Sequence, residues 1–253
     1  MHQILVEIGG FKLQTYSLLM AIAALFGFAV ALHEGNRRGM RSLDIADAAL
    51  WAAIGGILGA RLEYVLVNPE YFGEQPGGAL QIWQGGFAYH GGLLGGVLVL
   101  ILWTRLKRVP FWEVADALSL GFCLSVVIGW AACLFGGCVY GRMGFGPLYF
   151  TWYDIFGVTA SRFAVQPLGI ALTLVLFGVL FLFRDRMPFP GATFVSFVLV
   201  SGLFHFGLSF GRGDETLVWN GLRVEQWLAT VQVASAATIG WVRWLEAVRR
   251  PAV

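Results

Sequence analysis

The sequence predicts an all-α, polytopic membrane protein that crosses the bilayer about seven times. Three observations carry that expectation. Apolar residues make up 58% of the 253-residue chain and charged residues 13%, with a mean hydropathy of +0.72. Soluble domains hold roughly 45–50% apolar and about 25% charged residues. The apolar residues also fall into runs near the length of about 20 that a spanning helix needs. Finally, Lys and Arg are sorted between the alternate connections.

The runs lie at 13–33, 45–67, 87–104, 111–138, 166–183, 191–210 and 224–245. The first starts near Leu13 without a basic segment before it, which fits a retained span rather than a cleavable signal peptide. The fourth is long and rich in glycine at its far end, so it is expected to tilt or break there. Seven spans take roughly 140 residues, leaving short loops and a single transmembrane domain over 1–253. The longest connection, Val139 to Val165, is aromatic and only partly polar. Its segment Phe145 to Phe156 is expected to lie along the headgroup boundary. The 34 glycines fit helices that approach closely in lipid.

One set of connections carries Arg37, Arg38, Arg41, Arg105, Lys107, Arg108, Arg184, Arg186, Arg243, Arg249 and Arg250. The opposite set has Lys12, Arg142, Arg162, Arg212 and Arg223. That asymmetry places the first set in the cytoplasm, the N-terminus outside and the C-terminus inside. The three cysteines do not form a disulfide framework, and no paired zinc spacing is present. No internal repeat of the kind seen in transporters is visible.

Ionisable residues within spans are costly and usually face the bundle interior. Arg61 and Glu63, two apart on one helix, point in different directions and are not expected to pair. Arg61 is expected either to snorkel as an anchor or to face a cavity as a functional group. His90 opens the third span, ahead of Gly91 and Gly92, which leave its imidazole accessible to a large substrate. It can take a proton from a thiol or hydroxyl; the alternative is an interfacial histidine bonded to a carbonyl. Gly136, Gly137 and Gly141 allow tight turns and close approach of a ligand, and Arg142 can bind phosphate through its fork of donors. Cys133 and Cys138, five apart, read as buried small apolar residues rather than ligands or nucleophiles. His205 and Ser209 share one helix face, and Arg212 follows as a further cation for a phosphate. Asp47 and Asp116 read as helix-end residues near N-termini.

Together these residues resemble the prolipoprotein diacylglyceryl transferase family over most of the chain. The resemblance runs through Tyr16, the Gly-rich stretch ending in Arg61 and Tyr64, and Trp83-Gln84-Gly85-Gly86 leading to His90-Gly91-Gly92-Leu93. It continues in Gly137-Cys138-Val139-Tyr140-Gly141-Arg142. It implies a multi-pass enzyme of the bacterial inner membrane. Such an enzyme moves a diacylglyceryl group from phosphatidylglycerol to the lipobox cysteine thiol of a lipoprotein precursor. A thioether forms and glycerol phosphate leaves. His90 and Arg142 are then the catalytic residues. Tyr16, Arg61, Gly91, Gly92, Gly137, Gly141, His205 and Arg212 bind substrate, with Arg61, Arg142 and Arg212 stabilising the phosphate. The implied partners are phosphatidylglycerol, the lipoprotein precursor and membrane lipids, without nucleic acid, metal or cofactor.

The chain also departs from the family pattern. Trp130, Cys133 and Cys138 stand in place of an arginine, an asparagine and a glutamate. His205 and Ser209 replace an arginine and a glutamate. Val165-Gln166-Pro167-Leu168 is what remains of a Pro-x-Gln-Leu-Tyr-Glu stretch. These departures keep a second reading open, a non-catalytic or diverged lipid- or lipoprotein-binding protein on the same scaffold. A transporter or channel is a third reading, set back by the absence of repeats and of a charged path. Where His205 replaces the arginine as a cation, activity is expected to fall as pH rises.

Overall fold

The computed structural model describes residues 4–8 and 11–249. Seven long helices form the body: α1 (Thr15–Arg37), α2 (Ser42–Val67), α4 (Tyr89–Lys107), α5 (Phe111–Gly136), α6 (Val165–Phe183), α7 (Ala192–Ser209) and α8 (Val224–Arg249), with a short α3 (Pro69–Glu74) after α2. Each corresponds to an apolar run expected from sequence. Among the described residues, six are long and apolar enough to cross a bilayer: α1, α2, α4, α5, α6 and α7. The seventh expected run forms α8, which is 26 residues long. It falls short in apolarity because Gln226, Gln232, Ser235 and Arg243 interrupt it.

The helices associate in pairs, α2 with α4, α1 with α5 and α7 with α8. Glycine is the reason for the first two. On the antiparallel α2 and α4, Gly55 and Gly59 face Gly91 and Gly95, and a Cβ on Gly55 would stand 2.6 Å from the Gly95 carbonyl oxygen. Such backbone contact, with dispersion along it, holds helices together where lipid supplies no hydrophobic drive. In α1 and α5 the same approach joins Gly27 to Gly121, and Ser125 donates to the Ala23 carbonyl at 2.8 Å.

At the basic end of the bundle, buried carboxylates lock the helices. Glu34 takes hydrogen bonds from Arg37 and Arg38 at 2.9 and 3.0 Å, and Arg184 lies 3.5 Å away. Asp116 lies inside α5 and is 2% exposed, so the sequence expectation of a helix-end residue holds only in a modified sense. The N-terminus it caps belongs to α7: the Gly191 and Phe194 N–H groups donate to it at 2.8 and 2.9 Å, and Arg38 pairs with it.

The other end carries the irregular structure. Three antiparallel hairpins lie there: β1 (Ile4–Ile8) with β2 (Phe11–Gln14), β3 (Tyr149–Tyr153) with β4 (Thr159–Phe163), and β5 (Val218–Trp219) with β6 (Leu222–Arg223). The Phe145 to Phe156 segment therefore contributes a strand, β3, and a turn of the second hairpin. Its aromatic tips remain outward, with Phe145 and Phe156 strongly exposed.

Candidate functional site

The loop after α5 is fixed by a small three-stranded arrangement. Residues 140–144 run between β4 and the segment following α7. The Arg142 N–H donates to the Gly211 carbonyl at 2.8 Å, the Gly213 N–H to Tyr140 at 2.8 Å, and the Phe163 N–H to the Arg142 carbonyl at 2.9 Å. Gly141 lies against the Phe163 backbone, where a Cβ would collide. Gly137 ends α5 in the left-handed region (φ 73°), packed on the Asp154 backbone. These two glycines are required by backbone geometry, and a ligand is not needed to explain them.

A disulfide joins Cys133 to Cys138 across that turn. This corrects the reading of the pair as buried apolar residues. The turn at Gly137 folds the chain back, so that side chains on different helix faces meet beyond the helix end. Gln166 of α6 is 2% exposed and donates to the Cys138 carbonyl at 2.9 Å. Arg162 and Asp154 form a buried pair at 2.7 Å, and Arg162 lies over the Tyr140 ring. Burial raises the pKa of Tyr140 and of Tyr153; Tyr153 donates its hydroxyl to the Phe135 carbonyl at 2.7 Å.

The head of α4 forms the second half of the site. Its N-terminal turn is capped from a neighbouring helix, because Glu63 of α2 accepts the Gly91 N–H. Gly91 packs on Gly59 and Glu63, and Gly92 near Ala60. His90 is only 7% exposed, which corrects the expectation of an open imidazole; the site is reached only by a group that enters the bundle. Its Nδ1 lies 2.9 Å from Gln232 Oε1 of α8. Its Nε2 is buried with no hydrogen-bond partner among the described residues. The His205 ring lies 5.5 Å from it, is stacked on Tyr89 at 3.9 Å, and is flanked by Trp130. Ser209 shares the His205 face as expected, and its hydroxyl donates to the His205 carbonyl at 2.8 Å.

The cations differ in what they hold. Arg61 does not snorkel to the surface. It is 7% exposed and donates to the carbonyls of Gly78, Ala79, Gln81, Gly85 and Gly86. Every guanidinium nitrogen is thereby committed to the loop ahead of α4, which corrects its expected role as a free phosphate ligand. Arg212 donates to Asp214 and lies 3.6 Å from Glu225. Burial works against its charge, but the Asp214 hydrogen bonds and the two carboxylates prevail and hold its pKa above the ordinary value. Arg223 shares Asp214 and Glu225. Arg142 is exposed, and among the described residues no ion pair or side-chain hydrogen bond engages it. Tyr16 is half-buried, its ring against Gly136.

His90, His205, Arg142 and Arg212 are therefore gathered at one end of the bundle, since the strand pairing draws Arg142 to the end of α7. Tyr16 reaches the same end through Gly136, and Arg61 holds the loop ahead of α4. Sequence reasoning missed Glu63 as a cap, Tyr89, Ser201, Gln232 and Asp154 altogether, and Arg162 as anything but an outer charge. The Asp154–Arg162 pair had a local signal, since Gly157 falls in a turn between two aromatic or β-branched stretches. Gln232 had none.

The chain matches the profile of the family described as prolipoprotein diacylglyceryl transferase over residues 3–242. Among curated proteins it resembles one from Synechococcus elongatus at 30% identity, covering 98% of this chain and 91% of that protein. One from Nostoc sp. is 28% identical over 98% of this chain and 90% of its own length. One from Thermus thermophilus is 36% identical over 58% and 53%. Each is called a phosphatidylglycerol–prolipoprotein diacylglyceryl transferase.

Proposed function

Because this chain belongs to the prolipoprotein diacylglyceryl transferase family, a family of transferases, we propose that it moves the diacylglyceryl group of phosphatidylglycerol onto the lipobox cysteine thiol of a lipoprotein precursor. The observation that carries the reading at residue level is the unpartnered, buried Nε2 of His90, with the other ring nitrogen anchored. His90 Nε2 takes the thiol proton, and the thiolate sulfur attacks the glycerol carbon that bears the phosphate. The carbon–oxygen bond breaks, its electron pair goes to the phosphate oxygen, and glycerol phosphate departs. Arg142 is the cation free to meet that developing charge, with Arg212 beside it. Gly137 and Gly141 hold the loop that carries Arg142, Gly91 and Gly92 let α4 sit close to α2, and Tyr16 and His205 line the approach.

The chain is a multi-pass membrane protein, one transmembrane domain on this reading, and we place it in the bacterial inner membrane with its N-terminus outside. The Cys133–Cys138 disulfide supports that sidedness: it lies at the end away from the basic loops, and disulfides persist outside the reducing cytosol. A second reading, lipid or lipoprotein binding without turnover, draws on Arg212 and Arg223 being neutralised by Asp214 and Glu225.

One assay separates the two. Purified protein is mixed with phosphatidylglycerol and a lipobox peptide, and glycerol phosphate release is followed beside peptide mass. Release with the diacylglyceryl mass increment is the expected result. Bound phosphatidylglycerol with neither product overturns the transferase in favour of the binder.

A further inference from the structure

The hydrogen bonds around Gln232 run in one direction only. Its Nε2 donates to the Val198 carbonyl at 2.7 Å and to Ser201 Oγ at 3.1 Å. The Val198 oxygen can only accept, so the amide cannot be flipped without facing one acceptor with another. Ser201 Oγ also receives the Tyr89 hydroxyl at 3.2 Å and donates to Val198 at 3.3 Å. Both amide hydrogens of Gln232 are thereby used, and its Oε1 is left to accept from His90 Nδ1. Gly202 leaves the room: a Cβ there would stand 3.1 Å from the amide nitrogen.

We propose that Gln232 is the positioning residue for His90, holding the imidazole as its Nδ1–H tautomer so that the buried Nε2 presents a lone pair. The remote part of the chain thus sets which nitrogen acts as base. The inference rests on the transfer reading for its consequence, while the tautomer itself is independent of turnover. The titratable and charged groups facing His90 are Tyr89 on its own helix, Glu63 on α2, His205 on α7, Arg212 after α7 and Glu225 on α8.

The test is nitrogen NMR of the full chain labelled with 15N-histidine in lipid nanodiscs, with His90→Gln assigning the signals. The expected spectrum has a protonated Nδ1 and a bare Nε2 at His90. In Gln232→Leu the proton moves to Nε2, the form favoured in water, and kcat falls roughly 10–100-fold with KM for phosphatidylglycerol little changed. Gly202→Ala, which crowds the amide from outside, gives the same shift in milder form. A bare Nδ1 in the unsubstituted protein, or an unchanged tautomer in Gln232→Leu, overturns the proposal. A protein with the expected tautomer and no transfer supports the positioning and overturns the transferase reading instead.

Discussion

The rings of Tyr89 and His205 lie nearly parallel, 14° apart with centroids 3.9 Å apart, and so join the head of α4 to the last turn of α7. The Trp130 and His90 rings and the Ser201 hydroxyl lie against them. No carboxylate pairs with His205 among the described residues. The geometry is that of a ring held by packing on other rings. His205→Phe, which preserves the stack, is expected to cost less than about 1 kcal/mol, whereas His205→Ala leaves a void and costs about 3 kcal/mol. Thermal unfolding in detergent measures both. Loss of all transfer in a stably folded His205→Phe would show instead that the imidazole nitrogens are needed.

Arg142 and Arg212 sit on adjoining strands but are expected to fail differently. Arg142→Gln removes a cation with no side-chain partner among the described residues, so the fold should stand while transfer drops roughly 10–100-fold, the worth of about 1.5–3 kcal/mol for a hydrogen bond to a charged group. Arg212→Gln leaves Asp214 and Glu225 with Arg223 alone and should lower the melting temperature as well. Comparing kcat/KM with unfolding for the two variants checks the division; equal destabilisation would contradict it.

Reducing the Cys133–Cys138 bridge, or replacing both cysteines by serine, is expected to cost about 2 kcal/mol through the short loop it closes. The loss falls on the turn that Gln166 and Gly137 position, so transfer should weaken before the helices melt. Unfolding with and without reductant, beside the transfer rate, reports on this. An identical curve and rate in both would show the bridge to be dispensable.

Asp116 holds the N-terminus of α7 from within α5, and Asp116→Ala strands two N–H groups while leaving Arg38 its bond to Glu34. A loss of about 2–5 kcal/mol is expected, at about 1–3 kcal/mol for each stranded donor. Asp116→Asn, which keeps an acceptor, should lose less. Detergent unfolding of the two variants ranks them, and similar stabilities would assign the packing of α7 to its apolar contacts instead.

The long helices were legible because membrane insertion depends on a transfer free energy that sums locally along the chain. For the same reason the runs at 111–138 and 191–210 match α5 and α7 to within two residues at each end. The last run was expected as a seventh span and forms the helix α8, which lies outside the six apolar enough to cross, since Gln226 and Gln232 serve contacts inside the bundle that a hydropathy sum counts as polar. His90 stood out because its glycine frame is adjacent in sequence, and the chain resembled its family there for the same reason.

By itself, the sequence determined a helical membrane protein, its long helices to within four residues at each end, the separation of basic loops from site-bearing ones, and the candidates His90, Arg142 and Arg212. Only the tertiary structure decided what each of them touches. Gln232 reaches His90 across 142 positions of sequence, Arg61 spends its donors on the loop at 78–86, and Cys138 meets Cys133 because Gly137 turns the chain back. The physical reason is the same in each case. A buried polar group must find a partner wherever packing brings one, and which helices pack together is a property of the whole bundle, not of any segment within it.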